Sequence, residues 1–189
     1  PRHVPLVRMT EPGLTRGMVE YVAWQVLDRH RWGPHYRRVQ EARRWERLPE
    51  VLADERRVGT MGMGVLGQAC AGALRQLGFQ VRGWSRSPRT VEGVETFAGP
   101  AGLGPFLDGV EILVCLLPLT PETEGILARP VFDRMARGGH LINVARGGHL
   151  NEADLLSALD DGTLSTAVLD VFAPEPMPPA HPLWAHPAV

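Results

Sequence analysis

From residue 56 onward, short apolar runs alternate with longer segments whose apolar residues recur at helical spacing. This pattern predicts strands at residues 57–61, 80–84, 111–116, 140–144 and 165–171, and the main helices at residues 65–77 and 152–160. The segment 111–116 is almost continuously apolar, as expected of a strand that is buried on both faces of a sheet. Five strands with intervening helices predict an α/β fold with a doubly wound parallel sheet.

The first 55 residues have a different pattern. Apolar residues between Met18 and Leu27 recur at helical spacing on a wide stripe, and Gly33-Pro34 is expected to end this helix. An arginine-rich stretch with Tyr36 and Trp45 follows. We interpret it either as a solvated helix with two anchoring aromatic residues or as an arm that contacts another subunit.

Composition narrows the class of protein. The 189 residues are 44% hydrophobic with a net charge of −1, which favours a globular protein and predicts binding neither to nucleic acid nor to membranes. Cys70 and Cys115 lie in apolar sequence without metal-ligand spacing, so we expect reduced core thiols in a cytoplasmic protein. No apolar run reaches membrane-spanning length. The chain begins at Pro1 rather than Met, and we expect it to be a piece of a longer protein.

A glycine-rich motif, Gly62-Met-Gly64-Val-Leu-Gly67, lies between the first predicted strand and its helix. In this context Gly62 allows a tight turn, Gly64 allows close approach to a pyrophosphate, and Gly67 allows the helix to pack closely on the strand. The helix N-terminus at Val65 and Leu66 would offer free N–H groups and a positive dipole end to the phosphates. The motif predicts a Rossmann-type dinucleotide-binding domain, the alternative being a glycine-rich turn without a ligand.

The loop after the second predicted strand indicates which dinucleotide is bound. Domains that select NAD commonly place an acidic residue here to hold the ribose hydroxyls, but this loop, residues 85–89, contains none. Ser85 can donate a hydrogen bond, and Arg86 can form a charge-assisted fork with a 2′-phosphate. We therefore predict that NADP(H) is preferred, with NAD(H) possible. Alternatively, Arg86 is an ordinary surface residue and the loop tolerates either cofactor.

Four sequence blocks carry a family resemblance: the glycine motif and residues 116–123, 143–147 and 169–176. In this order they resemble the D-isomer-specific 2-hydroxyacid dehydrogenase family, most closely its glyoxylate/hydroxypyruvate reductase A branch. The resemblance extends over nearly the whole chain. It implies an oxidoreductase that transfers a hydride from NADPH to a small 2-oxo acid such as glyoxylate or hydroxypyruvate.

The resemblance assigns catalytic roles to two residues. Arg146 matches an arginine whose guanidinium binds the substrate carboxylate and polarises the ketone oxygen. Glu175 matches a glutamate that raises the pKa of a proton-donating histidine, and the position of that histidine lies beyond Val189. The alternative interpretations are a surface arginine in a glycine-rich turn and an acid that caps a turn between two prolines. His149 is a weaker candidate for approaching the substrate.

The resemblance also implies further contacts with the cofactor: Leu117 and Pro118 beside the adenosine half, Thr123 near the phosphate or nicotinamide, and Val144, Ala145 and Asp170 around the nicotinamide. For Leu117 and Pro118, a strand end packed in the core is a simpler interpretation, and both interpretations can hold together.

A division of the chain follows from the same resemblance. Residues 1–13 would be a remnant of a substrate-binding lobe that is largely missing, residues 14–55 an interdomain and dimer helix with its arm, and residues 56–189 the NAD(P)-binding domain, truncated at its C-terminus. The implied assembly is a homodimer. A non-catalytic nucleotide sensor, or a dehydrogenase of phosphoglycerate, lactate or formate, remains an alternative, although a sensor would need neither Arg146 nor Glu175.

We predict that a protein of these 189 residues alone binds NADP(H) weakly and turns over little or no substrate, because one wall of the active-site cleft and the proton donor are missing. The decline of NADPH absorbance with glyoxylate or hydroxypyruvate measures this directly. Full reductase activity would refute the prediction.

Overall fold

The computed structural model describes residues 11–189, and all structural statements refer to that part of the chain. Its sheet contains six strands: β1 (Arg57–Met61), β2 (Gln80–Ser85), β3 (Glu95–Ala98), β4 (Ile112–Cys115), β5 (Gly139–Asn143) and β6 (Leu164–Leu169). All pairings are parallel, in the order β3-β2-β1-β4-β5-β6. This is the strand order of the doubly wound dinucleotide-binding fold, so the predicted fold class is confirmed.

Six α-helices accompany the strands: α1 (Pro12–His30), α2 (Gly33–Glu41), α3 (Val65–Gln76), α4 (Gly99–Leu107), α5 (Arg129–Phe132) and α6 (Glu152–Asp160). Asn151 caps α6, as its side chain accepts a 3.1 Å hydrogen bond from the Asp154 N–H. Gly78 follows α3 with a φ of +96°, a backbone conformation that glycine adopts readily. None of the helices within residues 11–189 has both the length and the apolar character that crossing a membrane requires.

The five-strand prediction missed β3. This strand has only four residues and pairs with β2 alone, so it forms an edge of the sheet. Most of its side chains are only partly buried, and the sequence before it is rich in serine, proline and glycine. A short edge strand of this kind has no continuous apolar run that would reveal it.

In the N-terminal region one expectation was wrong, and one of the two interpretations of the arm does not hold for Trp45. Gly33-Pro34 does not end α1, which already ends at His30; instead it begins α2, where proline fits the first helical positions. Trp45 does not anchor the arm to the described chain, since its side chain is 93% exposed. Tyr36 does make a link, because its hydroxyl accepts a 3.3 Å hydrogen bond from the Leu48 N–H.

Apolar side chains pack on both faces of the sheet. Phe106, Phe132 and Leu155, from the helices α4, α5 and α6, belong to one core cluster. Val22 and Val26 of α1 belong to the other, together with Leu74 and other buried residues of α3. Complete burial of a side chain of this size stabilises a fold by roughly 1.5–3 kcal/mol. The helix before residue 56 therefore shares a core with the sheet.

The two cysteines are free and buried within this core. Burial raises the pKa of the Cys70 thiol to about 11 and that of the Cys115 thiol to about 12. Both side chains therefore stay protonated at neutral pH and behave as small apolar residues, as predicted.

His140 in β5 makes the stability of the fold depend on pH. Its Nδ1 lies 2.9 Å from Thr166 Oγ1 and 3.0 Å from Ser165 Oγ. Burial, followed by the positive charges of Arg29 and Arg56, lowers its pKa from 6.5 to about 4. Between these values the unfolded chain binds a proton on this imidazole that the folded chain does not.

The free energy of unfolding is therefore expected to decrease as the pH falls from 6.5 towards 4, by about 3 kcal/mol from His140. Urea denaturation across this range should show a flatter pH dependence in a His140→Gln variant. The control Ile142→Val lowers stability in the same strand without removing a titratable group, and it should leave the pH dependence unchanged. Equal slopes in the parent and His140→Gln proteins would contradict this account.

Candidate functional site

The loops that follow the parallel strands meet at the carboxyl edge of the sheet, where ligands bind in folds of this type. All the site residues predicted from sequence lie in loops or strand ends at this edge or in the first turn of α3. The loops after β1, β2 and β4 form the half expected to hold the adenosine and phosphates. The loops after β5 and β6 carry Arg146 and Glu175.

Gly62 begins the loop after β1. Its φ is +102°, and a Cβ atom here would lie 2.7 Å from the carbonyl oxygen of Leu116. Its N–H donates a 2.8 Å hydrogen bond to the carbonyl of Trp84 at the end of β2. Only glycine fits this position, because the turn runs between the ends of β2 and β4.

The other two glycines of the motif have opposite surroundings. A Cβ atom at Gly67 would collide with the carbonyl oxygen of Gly62, so this glycine allows α3 to pack directly on the turn. A Cβ atom at Gly64 would meet nothing within 4 Å. Gly64 is the N-cap of α3, with no side-chain cap, and Val65 is 73% exposed. The uncapped N–H groups and the open space at Gly64 fit a pyrophosphate.

The loop after β2 places Arg86 at the surface, at the same edge of the sheet as this helix terminus. Ser85 is largely buried, and its hydroxyl donates a 2.8 Å hydrogen bond to the carbonyl of Ser87, which shapes the turn. Arg86 is exposed and has no ion pair within residues 11–189. The pKa of Glu122 in the loop after β4 is lowered, mainly by a hydrogen bond with Thr120 and to a small extent by the charge of Arg86.

In the loop after β4, local structure accounts for much of the predicted block. Leu117 is buried in the core, whereas Pro118 is exposed. The Thr123 hydroxyl donates a 2.7 Å hydrogen bond to the carbonyl of Pro118 and accepts one of 2.9 Å from the Thr120 N–H. These contacts fold the loop back on itself, and the cofactor contacts assigned to the three predicted residues remain predictions.

Asn143, at the end of β5, joins the loops after β5 and β6. Its side-chain amide donates a 3.1 Å hydrogen bond to the carbonyl of Arg146, and its side-chain oxygen accepts one of 3.2 Å from the Ala145 N–H. Its own carbonyl accepts a 3.0 Å hydrogen bond from the Asp170 N–H. Because Asn143 is completely buried, losing any of these bonds would leave an unpaired polar group. Asn143 therefore fixes the backbone at Arg146 and Asp170.

Arg146 itself is exposed at this edge, while Val144 and Ala145 before it are buried. One guanidinium nitrogen donates a 2.6 Å hydrogen bond to the carbonyl of Ala145. His149 is completely buried, and its Nδ1 lies 3.1 Å from the carbonyl oxygen of Arg146. His149 thus supports the turn from inside, whereas the sequence had left open that it approaches the substrate.

The segments that carry Arg146 and Glu175 are in backbone contact. A Cβ atom at Gly147 would collide with the backbone of Phe172 and Ala173, so glycine is required at this crossing. The Phe172 N–H donates a 2.8 Å hydrogen bond to Glu175 Oε1. One carboxylate oxygen of Glu175 therefore caps a turn, as the alternative interpretation holds. Its role towards a histidine stays a prediction.

Asp170 is exposed and interacts with Tyr21 of α1. The pKa of Tyr21 is raised, first by partial burial and next by the negative charge of Asp170. This places the phenol of α1 beside the residue that the sequence assigned to the nicotinamide. Sequence reasoning missed Tyr21, which gives no signal within an apolar helical stripe. It also missed the bridging role of Asn143, although an amide at the end of an apolar strand run is a detectable sign.

Residues 23–189 match the family described as D-isomer specific 2-hydroxyacid dehydrogenase, NAD binding domain. The chain belongs to this family. It is 47% identical over 189 residues to a glyoxylate/hydroxypyruvate reductase A from Serratia proteamaculans, a match that covers all of the chain and 60% of the relative. The chain thus spans less than two thirds of the length of the curated relative it matches.

Solved structures give the same assignment. A D-isomer specific 2-hydroxyacid dehydrogenase from Xanthobacter autotrophicus Py2, in complex with NADPH and MES, superposes with a TM-score of 0.96 and 44% identity, covering 99% of this chain and 77% of that one. An NADPH-dependent glyoxylate/hydroxypyruvate reductase from Sinorhizobium meliloti, in complex with NADP and sulfate, has a TM-score of 0.94 and 45% identity, covering 99% and 60% respectively. The family resemblance inferred from the sequence blocks is confirmed.

Replacing Gly67 by alanine should destabilise the protein by about 1–3 kcal/mol or more, because the new methyl group collides with a backbone carbonyl that cannot move aside cheaply. Gly72→Ala is a matched control in the same helix, where a Cβ atom would meet nothing within 4 Å. This control should stabilise the helix by up to about 1 kcal/mol. Urea denaturation of both variants tests the prediction, and equal effects would show that α3 does not pack on the turn.

Proposed function

We propose that this chain is the NADP(H)-binding part of a reductase that acts on small 2-oxo acids of the glyoxylate or hydroxypyruvate type. The observation that carries the proposal is the uncapped, open N-terminus of α3, together with an exposed Arg86 after β2 and no acid among residues 85–89. A positive helix end and a guanidinium suit a dinucleotide that carries an additional phosphate. The reductase A relative and the two structures that carry NADPH or NADP support it.

We call residues 62–67 and 85–89 together the dinucleotide cradle. Within this cradle, the groups of the chain have distinct roles. The backbone N–H groups at Gly64, Val65 and Leu66 bind the pyrophosphate, and Gly67 keeps the helix close enough for them to reach it. Arg86 holds the 2′-phosphate by a charge-assisted fork. Ser85 acts mainly through the turn that its hydroxyl closes with Ser87, which is a smaller role than the direct hydrogen bond predicted for it.

At the other half of the site, Arg146 is the residue proposed to bind substrate. The bound nicotinamide supplies the hydride. The guanidinium of Arg146 binds the carboxylate of the 2-oxo acid and stabilises the negative charge that develops on its ketone oxygen. Asn143 and His149 hold the backbone carbonyl of Arg146, so the side chain starts from a fixed position.

Glu175 is proposed to orient a proton-donating histidine through its second carboxylate oxygen, since the first is occupied by the Phe172 N–H. A carboxylate hydrogen-bonded to an imidazole favours the charged imidazolium and so raises the pKa of the histidine. The proton then passes from the imidazolium to the alkoxide oxygen of the product. We also propose that Asp170 positions the nicotinamide amide, with Tyr21 of α1 beside it.

The proposed assembly is a cytoplasmic homodimer. Two exposed tryptophans support self-association: Trp24, which is 60% exposed on α1, and Trp45 of the arm. Large exposed aromatic side chains of this kind are typical of contact surfaces. The division into a substrate-lobe remnant (residues 1–13), a dimer helix with its arm (14–55) and a nucleotide-binding domain (56–189) is part of the same proposal. The pair of free, buried thiols supports a reducing compartment.

Arg86→Ala should weaken NADPH binding by about tenfold or more, the loss expected for one charge-assisted interaction with phosphate, and should change NADH binding little. Titration of protein fluorescence with each cofactor measures both affinities. Arg38→Ala is the control, because Arg38 is an exposed arginine of α2 far along the chain from the cradle. Equal affinities of the parent protein for NADPH and NADH would contradict the proposed preference for NADP(H).

For the assembly, we predict that Trp45→Ala shifts the protein from dimer towards monomer, because the substitution removes a large apolar anchor from the arm. Light scattering coupled to size-exclusion chromatography gives the mass. Trp184→Ala removes another exposed tryptophan, outside the helix and arm, and should leave the mass unchanged. A monomeric parent protein would overturn this part of the proposal.

A further inference from the structure

A small cavity of about 70 Å³ lies away from the carboxyl edge of the sheet. It is open to solvent on one side and lined by the end of α1, by α2 and by residues 47–51. On one side stands the ring of Trp32, with the guanidinium carbon of Arg56 at 5.1 Å from its centre. Arg56 precedes β1 and pairs at 2.6 Å with Glu111, which precedes β4. The cavity therefore adjoins the amino ends of the strands, the edge opposite the dinucleotide cradle.

Two hydrogen-bond donors that line this cavity have no acceptor among residues 11–189. The Tyr36 hydroxyl accepts a hydrogen bond from the Leu48 N–H, and its own proton has no acceptor within residues 11–189. Arg47 also lines the cavity and has neither an ion pair nor a side-chain hydrogen bond in the described part of the chain. Unused donors on two different segments thus face the same small space.

His30 adds a buried donor or acceptor to the lining. Its side chain is 5% exposed, and its Nδ1 has no hydrogen-bond partner in residues 11–189. The ring packs edge-on against Phe79, with ring centres 5.0 Å apart. Burial, and then the charges of Arg56 and Arg31, lower the pKa of His30, so the imidazole is neutral at pH 7. An unpaired polar atom in such a place costs free energy that a bound ligand would recover.

Among residues 11–189, the only carboxylate in the lining is that of Glu50. It lies 3.6 Å from Arg31, beyond normal hydrogen-bond distance, and is mostly exposed to solvent. Arg31 and Arg47 together outnumber this one carboxylate, so the lining carries an excess of positive charge, whereas the charge of Arg56 is balanced by Glu111. A water molecule would accept hydrogen bonds from one or two of these donors but would not neutralise the positive charge.

From this arrangement we propose that the cavity is a binding site for one small oxyanion, a phosphate or carboxylate group, held by Arg47, Arg31 and the Tyr36 hydroxyl with His30 at its base. The volume is several times what one water molecule requires and admits a group of a few heavy atoms. Guanidinium groups bind such oxyanions by charge-assisted hydrogen bonds. The proposal does not depend on the reductase function, since the site lies at the other edge of the sheet.

Isothermal titration of the 189-residue protein with inorganic phosphate, and separately with acetate, tests the proposal. We expect saturable binding that Arg47→Gln weakens by about tenfold or more, the effect of losing one charge-assisted hydrogen bond. Arg47 is exposed, so the substitution should not disturb folding. The control Arg38→Gln makes the same change of charge on α2 outside the cavity and should bind like the parent. Binding of phosphate alone or of acetate as well identifies which oxyanion the site accepts.

The glycine loop is a second place where phosphate can bind, so each titration is repeated with saturating NADPH. Binding that persists with NADPH and in Arg86→Ala, but is lost in Arg47→Gln, supports the proposed site. Binding that NADPH displaces, or that Arg47→Gln leaves intact, belongs to the dinucleotide cradle and overturns the proposal. Absence of saturable binding of either anion at millimolar concentration overturns it as well.

Discussion

The close packing of α3 on the turn after β1 is the constraint on which the candidate site depends. Gly67 lies so near the carbonyl of Gly62 that no side chain fits between them, and Gly62 in turn lies against the backbone of Leu116. These contacts bring the N-terminus of α3 up to the edge of the sheet between the loops after β2 and β4. The helix end is thereby fixed where its N–H groups are open to a ligand rather than to a capping side chain.

A second tight crossing organises the other half of the site. Gly147 lies against the backbone of Phe172, and Asn143 connects by hydrogen bonds to Ala145, Arg146 and Asp170. Two loops that carry different proposed functions are therefore joined as one unit. Their rigidity comes from buried, hydrogen-bonded polar groups, and removing any one of these hydrogen bonds would cost stability. The proposed substrate arginine is placed by this network rather than by its own contacts.

The sequence predicted most of the fold because the buried strands and the glycine motif obey strong local rules. It placed β1 at the observed residues and β4 within one residue at each end, since β4 is a continuous apolar run. It missed β3, a four-residue edge strand whose stability comes from pairing with β2 rather than from its own apolar content. It left two interpretations of Trp45 open, an anchor within the chain or a contact with another subunit, because aromatic character indicates burial on average but does not say against which chain.

The candidate site was predictable to a lesser degree. Glycines and arginines can be recognised in the sequence because their spacing reflects backbone geometry and charge. The hydrogen bonds by which Thr123, Ser85 and Glu175 close local turns are visible only in three dimensions. The Asn143 network and the approach of Tyr21 to Asp170 required segments distant in sequence to be placed together. Such long-range contacts lie outside what periodicity and motif spacing specify.

Nuclear magnetic resonance of the ¹⁵N-labelled protein during titration with NADPH tests the central claim most directly, because each backbone amide reports its own surroundings. The account predicts that the amide signals of Gly64, Val65, Leu66 and Gly67 shift together and saturate, accompanied by that of Arg86. Saturable binding that leaves these signals in place, while amides elsewhere on the protein shift, would contradict it.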